Sequence, residues 1–315
     1  MGYVSNAQCS IFAPKTTLLN RIAFIVLAPL LYGLSLLPFW ILHLISNALA
    51  FLLHRVIGYR KKMIQAYLDR IFPERTPHER AQIRAKFYLN LSDVILETIK
   101  TITLSPKAIQ KRFKVVNIEA LTQYEKQDRS VFIVCGHYSN WEWMASLGLQ
   151  FYKQYPYLIY SPLQNPYFNN FIKRIRKKYR VLLLPRKETV VTMTRQEQKS
   201  IPRAYGFAMD QSPRVKPKAY WRSFLGIRVP VFTGAERLAK EFDIPLVYAS
   251  INRIKRGYYE VHFEVLEEDP KNTPENDITN RFYDKLEAQI HKDPAQYLWS
   301  HRRFKHEGKE LRSKP

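Results

Sequence analysis

The pattern of apolar and polar residues divides this chain into an uncharged beginning, a helical stretch and a long part of mixed pattern. Between Ile22 and Leu53 there is no Lys, Arg, Asp or Glu. This stretch is longer than the ~20 apolar residues that a helix needs to cross a bilayer. Because Pro29 and Pro38 interrupt it, we expect either a kinked helix or two short helices that dip into a membrane.

Two alternatives to a membrane anchor fit the same stretch. Ala48-Leu49-Ala50 is similar to a signal-peptide cleavage site, but the apolar stretch is far longer than the ~7–15 residues of a signal-peptide core. The other alternative is a buried helix of a soluble protein. We favour an anchor over residues 1–57.

The basic residues on the two sides of the anchor predict its orientation. More of them follow the apolar stretch than precede it, so we expect the bulk of the protein to lie in the cytoplasm. Those that follow are Arg55, Arg60, Lys61 and Lys62, and those that precede are Lys15 and Arg21.

Two amphipathic segments come next. Residues 59–70 and 78–101 carry apolar residues at helical spacing, and the turn at Thr76-Pro77 separates them. We predict a membrane-proximal helical hairpin over residues 58–111. This hairpin and residues 112–315 are expected to form one structural unit.

From about residue 112 the pattern changes to short apolar runs separated by helical stretches. The last two runs are joined across Lys255-Arg256-Gly257 as a hairpin, so one pair of strands is antiparallel. Strands that alternate with helices predict an α/β domain over residues 112–315, in which helices flank a mixed central β-sheet. Thr233 is a predicted N-cap. The predicted strands are 130–135, 157–160, 181–184, 205–209, 244–252 and 258–266, and the last predicted helix is 275–292.

Charge and cysteine content restrict the partners. The formal net charge is +23, from 50 Lys and Arg against 27 Asp and Glu. Such a charge predicts an acidic partner. The candidates are nucleic acid, an anionic membrane, and an acidic protein or substrate. The two cysteines, Cys9 and Cys135, provide neither metal-ligand spacing nor a disulfide framework. We therefore expect a reducing compartment and no metal.

A histidine directly follows an apolar predicted strand in the segment GHYSNWEW, residues 136–143. In an open α/β sheet, functional groups gather beyond the carboxyl ends of the strands. Ser139 or Asn140 can cap the helix that follows, and Glu142 then lies in its first turn, where the helix dipole favours a carboxylate. The loop can return Glu142 to one imidazole nitrogen of His137. The other nitrogen is then free to take a proton from a substrate hydroxyl.

On spacing alone the same residues also fit an ordinary strand-to-helix turn. In that interpretation His137 is a turn residue and Glu142 is a charge at a helix start. Cys135 can in principle be a nucleophile paired with His137, but its place inside an apolar strand predicts a buried, inert thiol. At this point both interpretations of the histidine stand.

The segment GHYSNWEW resembles the histidine–four residues–acid motif of the lysophospholipid acyltransferase superfamily. Within it, the chain resembles the lipid A biosynthesis acyltransferases of the lauroyl/myristoyl transferase type. Further segments match blocks of that family in the same order, so the resemblance covers nearly the whole chain. These segments are Asn165-Pro166 with the basic helix after it, Arg186-Lys187-Glu188, Met209-Asp210-Gln211, Phe232 to Ala239, and the tail from Gln296 to Lys305, which is the most specific match.

The resemblance implies a glycerolipid acyltransferase-like fold and a reaction. The reaction is transfer of an acyl chain from a thioester, usually of an acyl carrier protein, to a hydroxyl of a membrane glycolipid precursor. It implies His137 as the base and Glu142 as its partner, with no cofactor besides the acyl thioester, at the cytoplasmic face of a bacterial inner membrane. The predicted substrate-binding residues are Asn140, Arg176, Arg186, Asp210 and Gln211.

Two departures from the family pattern leave the acceptor open. Ser161 stands where many members carry Arg, and Asp210-Gln211-Ser212 stands where some members have Asp-Gln-Asp or Asp-His-Asp. A lysophospholipid, an aminoacyl lipid or a pigment is therefore an alternative acceptor. A non-catalytic basic binding protein is a further alternative.

The basic residues form two groups. Residues 171–187 hold eight Lys or Arg and no acid, and a second group lies between Arg302 and Lys314. Both suit an acidic acyl carrier protein, an anionic lipid surface or a phosphorylated glycolipid. The alternative for most of the individual residues is a solvated basic face. Arg186 follows a predicted strand end and is the one expected at the site. Nucleic acid is not a predicted partner, since no zinc-finger, RNP or helix-turn-helix signature is present.

Overall fold

The computed structural model describes residues 17–310 except 200, 216 and 218. Cys9, Lys15 and the end of the second basic group, Arg312 and Lys314, lie outside the described residues. The helices are α1 Leu18–Leu36, α2 Phe39–Phe51, α3 Lys61–Ile71, α4 Pro77–Lys100, α5 Pro106–Arg112, α6 Glu119–Lys126, α7 Pro166–Lys177, α8 Thr189–Gln198, α9 Gly234–Phe242 and α10 Asp277–Lys292. The strands are β1 Phe113–Val115, β2 Val131–Cys135, β3 Tyr157–Tyr160, β4 Leu182–Pro185, β5 Ala204–Ala208, β6 Trp221–Phe224, β7 Ile227–Pro230, β8 Leu246–Lys255 and β9 Tyr258–Glu267.

The uncharged stretch forms two helices that separate at Pro38. Proline cannot continue the hydrogen bonding of α1, and the ammonium group of Lys100 donates instead to the carbonyls of Ser35 and Leu37, each at 2.8 Å. Helix α1 and the helical stretch Phe39–Val56, in which a π-helical turn continues α2, are each long and apolar enough to cross a membrane. They are mostly exposed, so the alternative of a buried soluble helix is wrong. The large exposed apolar side chains of α1 and α2 are Leu18, Leu19, Ile22, Ile25, Val26, Leu27, Leu30, Tyr32, Leu36, Trp40, Leu44 and Phe51.

Two helices, α3 and α4, follow within the segment for which a helical hairpin was predicted. Helix α4 begins with a reciprocal cap, in which Thr76 Oγ1 accepts from the backbone N–H of Glu79 at 3.2 Å and the Glu79 carboxylate accepts from the backbone N–H of Thr76 at 2.7 Å. Helices α3 and α4 share a buried apolar cluster that includes Ile64, Leu68 and Phe87. Helix α2 packs along α4 on another side.

The predicted mixed sheet with flanking helices is also confirmed. Seven strands lie in the order β1-β9-β8-β2-β5-β3-β4, and all neighbouring pairs are parallel except β8 and β9. Strand β2 is buried on both faces, which explains its continuous apolar run. Phe132 and Val134 join the core on one face, and Ile133 and Cys135 join the core on the other.

The short strands were not predicted. Strand β1 has three residues, and β6 and β7 form a separate hairpin. The turn between β6 and β7 places Leu225 at φ 52° and Gly226 at φ 74°. Two consecutive positive φ values are typical of a tight hairpin turn, but such turns usually carry Asn or Asp before the Gly. Because Leu225 stands at that position, the sequence lacks the usual sign of a hairpin turn there.

Candidate active site

Four neighbouring parallel strands end at the same edge of the sheet. His137 follows β2, Ser161 follows β3, Arg186 follows β4 and Gln211 comes soon after β5. All four line one cavity of about 540 Å³, a volume typical of ligand pockets. The expectation that Arg186 lies on the same side of the sheet as His137 is therefore correct.

His137 is bound to Asp210. Its Nδ1 lies 2.6 Å from Asp210 Oδ1, and its backbone N–H donates to the same oxygen at 3.0 Å. The carboxylate is 3% exposed, and the imidazole keeps 15% of its side-chain area exposed. The histidine is thus fixed from the protein side and open towards the cavity.

The contacts of the imidazole define its tautomer. An ionised carboxylate only accepts hydrogen bonds, so Nδ1 carries a proton and donates it to Asp210. The Nε2 atom lies 3.1 Å from the side-chain nitrogen of Gln211, and an amide N–H can donate to a free lone pair there. His137 Nε2 is therefore the atom available to accept a proton from a molecule in the cavity.

The two groups stabilise each other's charged forms. Burial alone lowers the pKa of His137, but the charge of Asp210, its hydrogen bond and the charge of Glu142 outweigh burial and raise that pKa above its ordinary value of 6.5. Burial alone raises the pKa of Asp210, but the charge of His137, both hydrogen bonds from His137 and the charge of Arg303 hold it below its ordinary value. The imidazole therefore binds a proton more readily than an isolated histidine.

The loop after β2 is also held by the C-terminal segment. The backbone N–H of Ser139 donates to the carbonyl of Gln296 at 2.9 Å. The backbone N–H of Leu298 donates to the carbonyl of His137 at 3.1 Å. These two hydrogen bonds hold the backbone of the loop at His137 and at Ser139. Ser139 has the left-handed (αL) conformation, with a φ of 54°.

Two residues near Asp210 were missed in the sequence. Tyr297 is 2% exposed, and burial together with the negative charge of Asp210 raises the pKa of its hydroxyl well above the ordinary value of 10. Arg303 is 1% exposed, and its guanidinium donates to the Tyr283 hydroxyl at 3.2 Å and to the Pro230 carbonyl at 3.0 Å. Both residues lie in the tail that resembles the family most specifically, but the pattern alone does not show that this tail returns to the loop of His137.

The predicted contact between Glu142 and His137 is wrong. Glu142 lies in the first turn of a 3-10 helix, Trp141–Leu149, and pairs with Arg176 in the last turn of α7. The carboxylate bonded to an imidazole nitrogen of His137 is that of Asp210, not that of Glu142. Both members of the Glu142–Arg176 pair line the cavity, so the pair forms part of its wall.

We expect Glu142→Gln to be less damaging than Glu142→Ala. The glutamine amide can keep a hydrogen bond to Arg176, whereas alanine leaves that guanidinium without its partner. An unsatisfied polar group costs ~1–3 kcal/mol, which corresponds to about 5- to 150-fold in kcat/KM if the whole effect appears in the transition state. The measurement is kcat/KM of both variants, and equal, near-wild-type values would contradict this role.

The prediction that Asn140 binds substrate is wrong, because this residue is 0% exposed and does not line the cavity. Its side-chain oxygen accepts from the backbone N–H of Trp143 at 3.3 Å, which confirms the predicted cap. Its side-chain nitrogen donates to Glu97 at 2.7 Å. Both ends of the side chain are therefore used inside the protein. Asp210, which was also predicted to bind substrate, is bound to His137 instead.

The rest of the cavity wall is mostly apolar. It extends back along the strands, and Gly148 allows the 3-10 helix to approach the turn between α7 and β4 closely, since a Cβ there would lie 2.2 Å from the carbonyl oxygen of Tyr179. Cys135 also lines it, but burial and the charge of Asp210 raise the pKa of this thiol to about 12. This supports the prediction of an inert thiol. The apolar wall residues are Ile133, Met144, Leu147, Leu158, Ile159, Val181, Leu183, Phe207 and Leu238.

Comparison with known proteins identifies the family of the chain. A family profile described as bacterial lipid A biosynthesis acyltransferase matches residues 10–306. The chain therefore belongs to this family, and it is an acyltransferase.

Two curated relatives show how distant the similarity is. The chain is 22% identical over 274 residues to the lipid A biosynthesis palmitoleoyltransferase of Escherichia coli strain K12, with 85% of this chain and 86% of that protein covered. The values are the same for the lipid A biosynthesis acyltransferase of Shigella flexneri.

Proposed function

We propose that the protein transfers a fatty acyl chain from an acyl thioester to a hydroxyl of a lipid A precursor or a related glycolipid, with His137 as the general base. The observation that carries this proposal is the pair formed by His137 and buried Asp210, with Nε2 of the imidazole next to the cavity. Asp210 takes the orienting role that the sequence analysis had given to Glu142.

The proton and the acyl group follow a balanced path. The acceptor hydroxyl displaces the amide of Gln211 from His137 Nε2 and gives its proton to that nitrogen. The hydroxyl oxygen attacks the thioester carbonyl carbon, and a tetrahedral intermediate forms. As the carbon–sulfur bond breaks, the imidazolium returns the proton to the leaving thiolate. The products are an ester and a free thiol, and His137 is regenerated.

The apolar part of the cavity suits the acyl chain. Its wall lies between the sheet and the 3-10 helix, and it adjoins the polar groups at the carboxyl ends of the strands. A chain that enters along the strands brings its carbonyl carbon towards His137. Arg186 is exposed beside the cavity, 5.9 Å above the ring of Phe232, and it suits an anionic part of either substrate.

An acyl carrier protein is the proposed donor, because carrier proteins are acidic and α7 presents a basic face beside the cavity. Ile172 and Arg176 of α7 line the cavity. The outer residues of the same helix, Lys173, Arg174 and Lys177, are exposed. Such a face raises the rate of encounter with an acidic partner.

We further propose that α1 and α2 attach the protein to the inner membrane, with the sheet on the cytoplasmic side. A contiguous exposed apolar surface of this size marks a membrane or protein contact, and the basic residues after α2 favour the cytoplasmic side. Helix α1 also packs against α7, where Phe24 contacts Tyr167, Phe168 and Phe171. The apolar surface and the basic face are therefore neighbours.

The proposal is tested by acyl transfer in a membrane or detergent preparation. Carrier thioesters of several chain lengths are incubated with the protein and a lipid A precursor that bears a free acyl hydroxyl, and the lipids are analysed by mass spectrometry. We expect the precursor to gain one acyl group as carrier thiol is released. The control is a precursor whose hydroxyl is already acylated, which should gain none. Acylation of a lysophospholipid instead, with no change in the precursor, would contradict the proposed acceptor.

A further inference from the structure

Helix α4 carries a buried carboxylate beneath the loop of the active site. Glu97 is 0% exposed. Burying an ionised carboxylate is costly unless hydrogen bonds replace its water, so its partners are informative. Glu97 lies outside the cavity and takes no part in the proposed proton path.

Three side chains from three different parts of the chain meet at Glu97. Asn140 of the active-site loop and Tyr259 of β9 both donate to Oε2, each at 2.7 Å. His43 of α2 lies 3.3 Å from Oε1. The indole N–H of Trp143 donates to the backbone carbonyl of the same residue at 3.2 Å. Glu97 therefore joins the apolar helix α2, the sheet and the active-site loop.

The hydroxyl of Tyr259 remains a donor to this carboxylate. Burial and the negative charge of Glu97 raise its pKa well above the ordinary value of 10. The tyrosine therefore stays protonated and donates its hydrogen bond to Glu97.

The contact with Asn140 reaches both sides of the site. Asn140 comes three residues after His137, and it caps the 3-10 helix that carries Glu142. On the other side the loop is bound to Asp210 and to the C-terminal segment. The bond from Asn140 to the Glu97 carboxylate therefore ties the loop to α4, next to the bond from the Trp143 indole to the Glu97 carbonyl.

We infer that Glu97 is a positioning residue, which fixes the loop of His137 through Asn140 and connects that loop to α2 through His43. The inference rests on the proposed function for its kinetic test, and on geometry alone for its spectroscopic test. It assigns α2 a second role, since the same apolar helix that faces outwards also supports the active site.

Asp93 offers a matched control on the same helix. It lies one turn before Glu97 and is also 0% exposed. It accepts hydrogen bonds from Ser46 of α2 at 2.5 Å, and from Arg253 and Arg256 at 2.5 and 2.6 Å. It thus joins α2 to the β8–β9 hairpin as Glu97 does, but it has no contact with the active-site loop.

Four variants separate positioning from folding. Glu97→Leu removes the acceptor, whereas Glu97→Gln keeps an oxygen for Asn140 and Tyr259 and turns its amide N–H towards His43. Asn140→Ser keeps a residue that caps helices well but is too short to reach Glu97, so it breaks the single contact that matters. Asp93→Asn weakens the attachment of α2 without touching the loop.

We expect Glu97→Leu and Asn140→Ser to lower kcat by about 10- to 100-fold, with KM for the acyl donor within about threefold, because small displacements of reacting groups are costly. Glu97→Gln should restore kcat to within about threefold of wild type. Asp93→Asn should lower the melting temperature and leave kcat within about threefold of wild type. If Glu97→Leu does not fold, Asn140→Ser alone decides the question.

A wild-type kcat in Asn140→Ser overturns the inference, as does an equal loss of kcat in Asp93→Asn. The ring signals of His137, recorded by NMR with ¹⁵N-labelled histidine, provide a readout without substrates. We expect them to shift or broaden in Asn140→Ser and to stay unchanged in Asp93→Asn, and unchanged signals in both variants also overturn the inference. If wild-type protein acylates no lipid, the proposed function fails, but this NMR comparison still tests the role of Glu97.

Discussion

His137→Ala is expected to lower kcat by at least about 100-fold, which is the low end of what a general base contributes. The variant should remain folded. Asp210 would lose its bond to the imidazole but keep the hydrogen bond from the backbone N–H of residue 137 and the nearby positive charge of Arg303, so its buried charge is not left alone. The measurement is the initial rate of acyl transfer at saturating substrate, together with a thermal melt.

The matched control is His262→Ala. His262 is 45% exposed on β9 and does not line the cavity, so its loss should leave the rate unchanged. A folded His137→Ala protein with full activity would refute the assignment of the base. Low activity with a collapsed melting transition would require the less disruptive variant His137→Gln, in which a full rate has the same meaning.

Asp210→Asn is expected to have the second largest effect, a loss of about 100-fold or more in kcat/KM with a displaced pH profile. The base acts only when neutral, so the rate rises with pH as His137 loses its proton. In the wild-type protein Asp210 contributes to raising the pKa of His137 above 6.5. Removal of the carboxylate charge lowers that pKa. The acid limb of the profile should therefore move to lower pH even as the maximum rate falls.

The profile of kcat/KM from about pH 5 to pH 9 measures this shift, since it reports the ionisations of the free enzyme. Glu142→Gln is the control, because the charge of Glu142 is the last and smallest of the contributions to the pKa of His137. Its acid limb should move less. An acid limb in Asp210→Asn at the wild-type position would show that the ionisation seen in the rate does not belong to the His137–Asp210 pair.

The sheet was predictable because its strands are short apolar or alternating runs, and the central strand β2 is buried on both faces. Runs such as Val131–Cys135 have no polar interruption, and the observed bounds of the predicted strands differ from expectation by three residues at most. The position of His137 beyond a strand end follows from the same pattern. The break at Pro38 was predictable because a proline lacks the N–H that continues a helix.

The partner of His137 was not predictable from local spacing. Asp210 lies 73 residues away from His137, and the sheet order brings them together. Strands β2 and β5 are neighbours, with Cys135 paired with Ala208, so the residues two places further along each strand lie side by side. Strands β3 and β4 come between β2 and β5 in sequence but outside them in space. Glu142 was near in sequence, and this nearness together with the family resemblance led to the wrong contact.

The prediction that Asn140 binds substrate was wrong for a related reason. A polar residue beside a candidate base suggests substrate binding, but the burial of its side chain depends on α4, which lies 43 residues earlier at Glu97. The sequence shows Glu97 as one charged residue on an amphipathic helix. Glu97 is completely buried because three separate segments pack around it. The pattern of residues within α4 alone therefore does not predict this burial.

The C-terminal segment has a consequence for biosynthesis. The loop of His137 needs the carbonyl of Gln296 and the N–H of Leu298 to complete its hydrogen bonds, and the ribosome makes these residues after every other part of the site. Strand β2 can pair with β5 and His137 can meet Asp210 earlier, but the loop gains its two backbone bonds to the tail only when the tail has been made. The site is therefore completed at the end of translation.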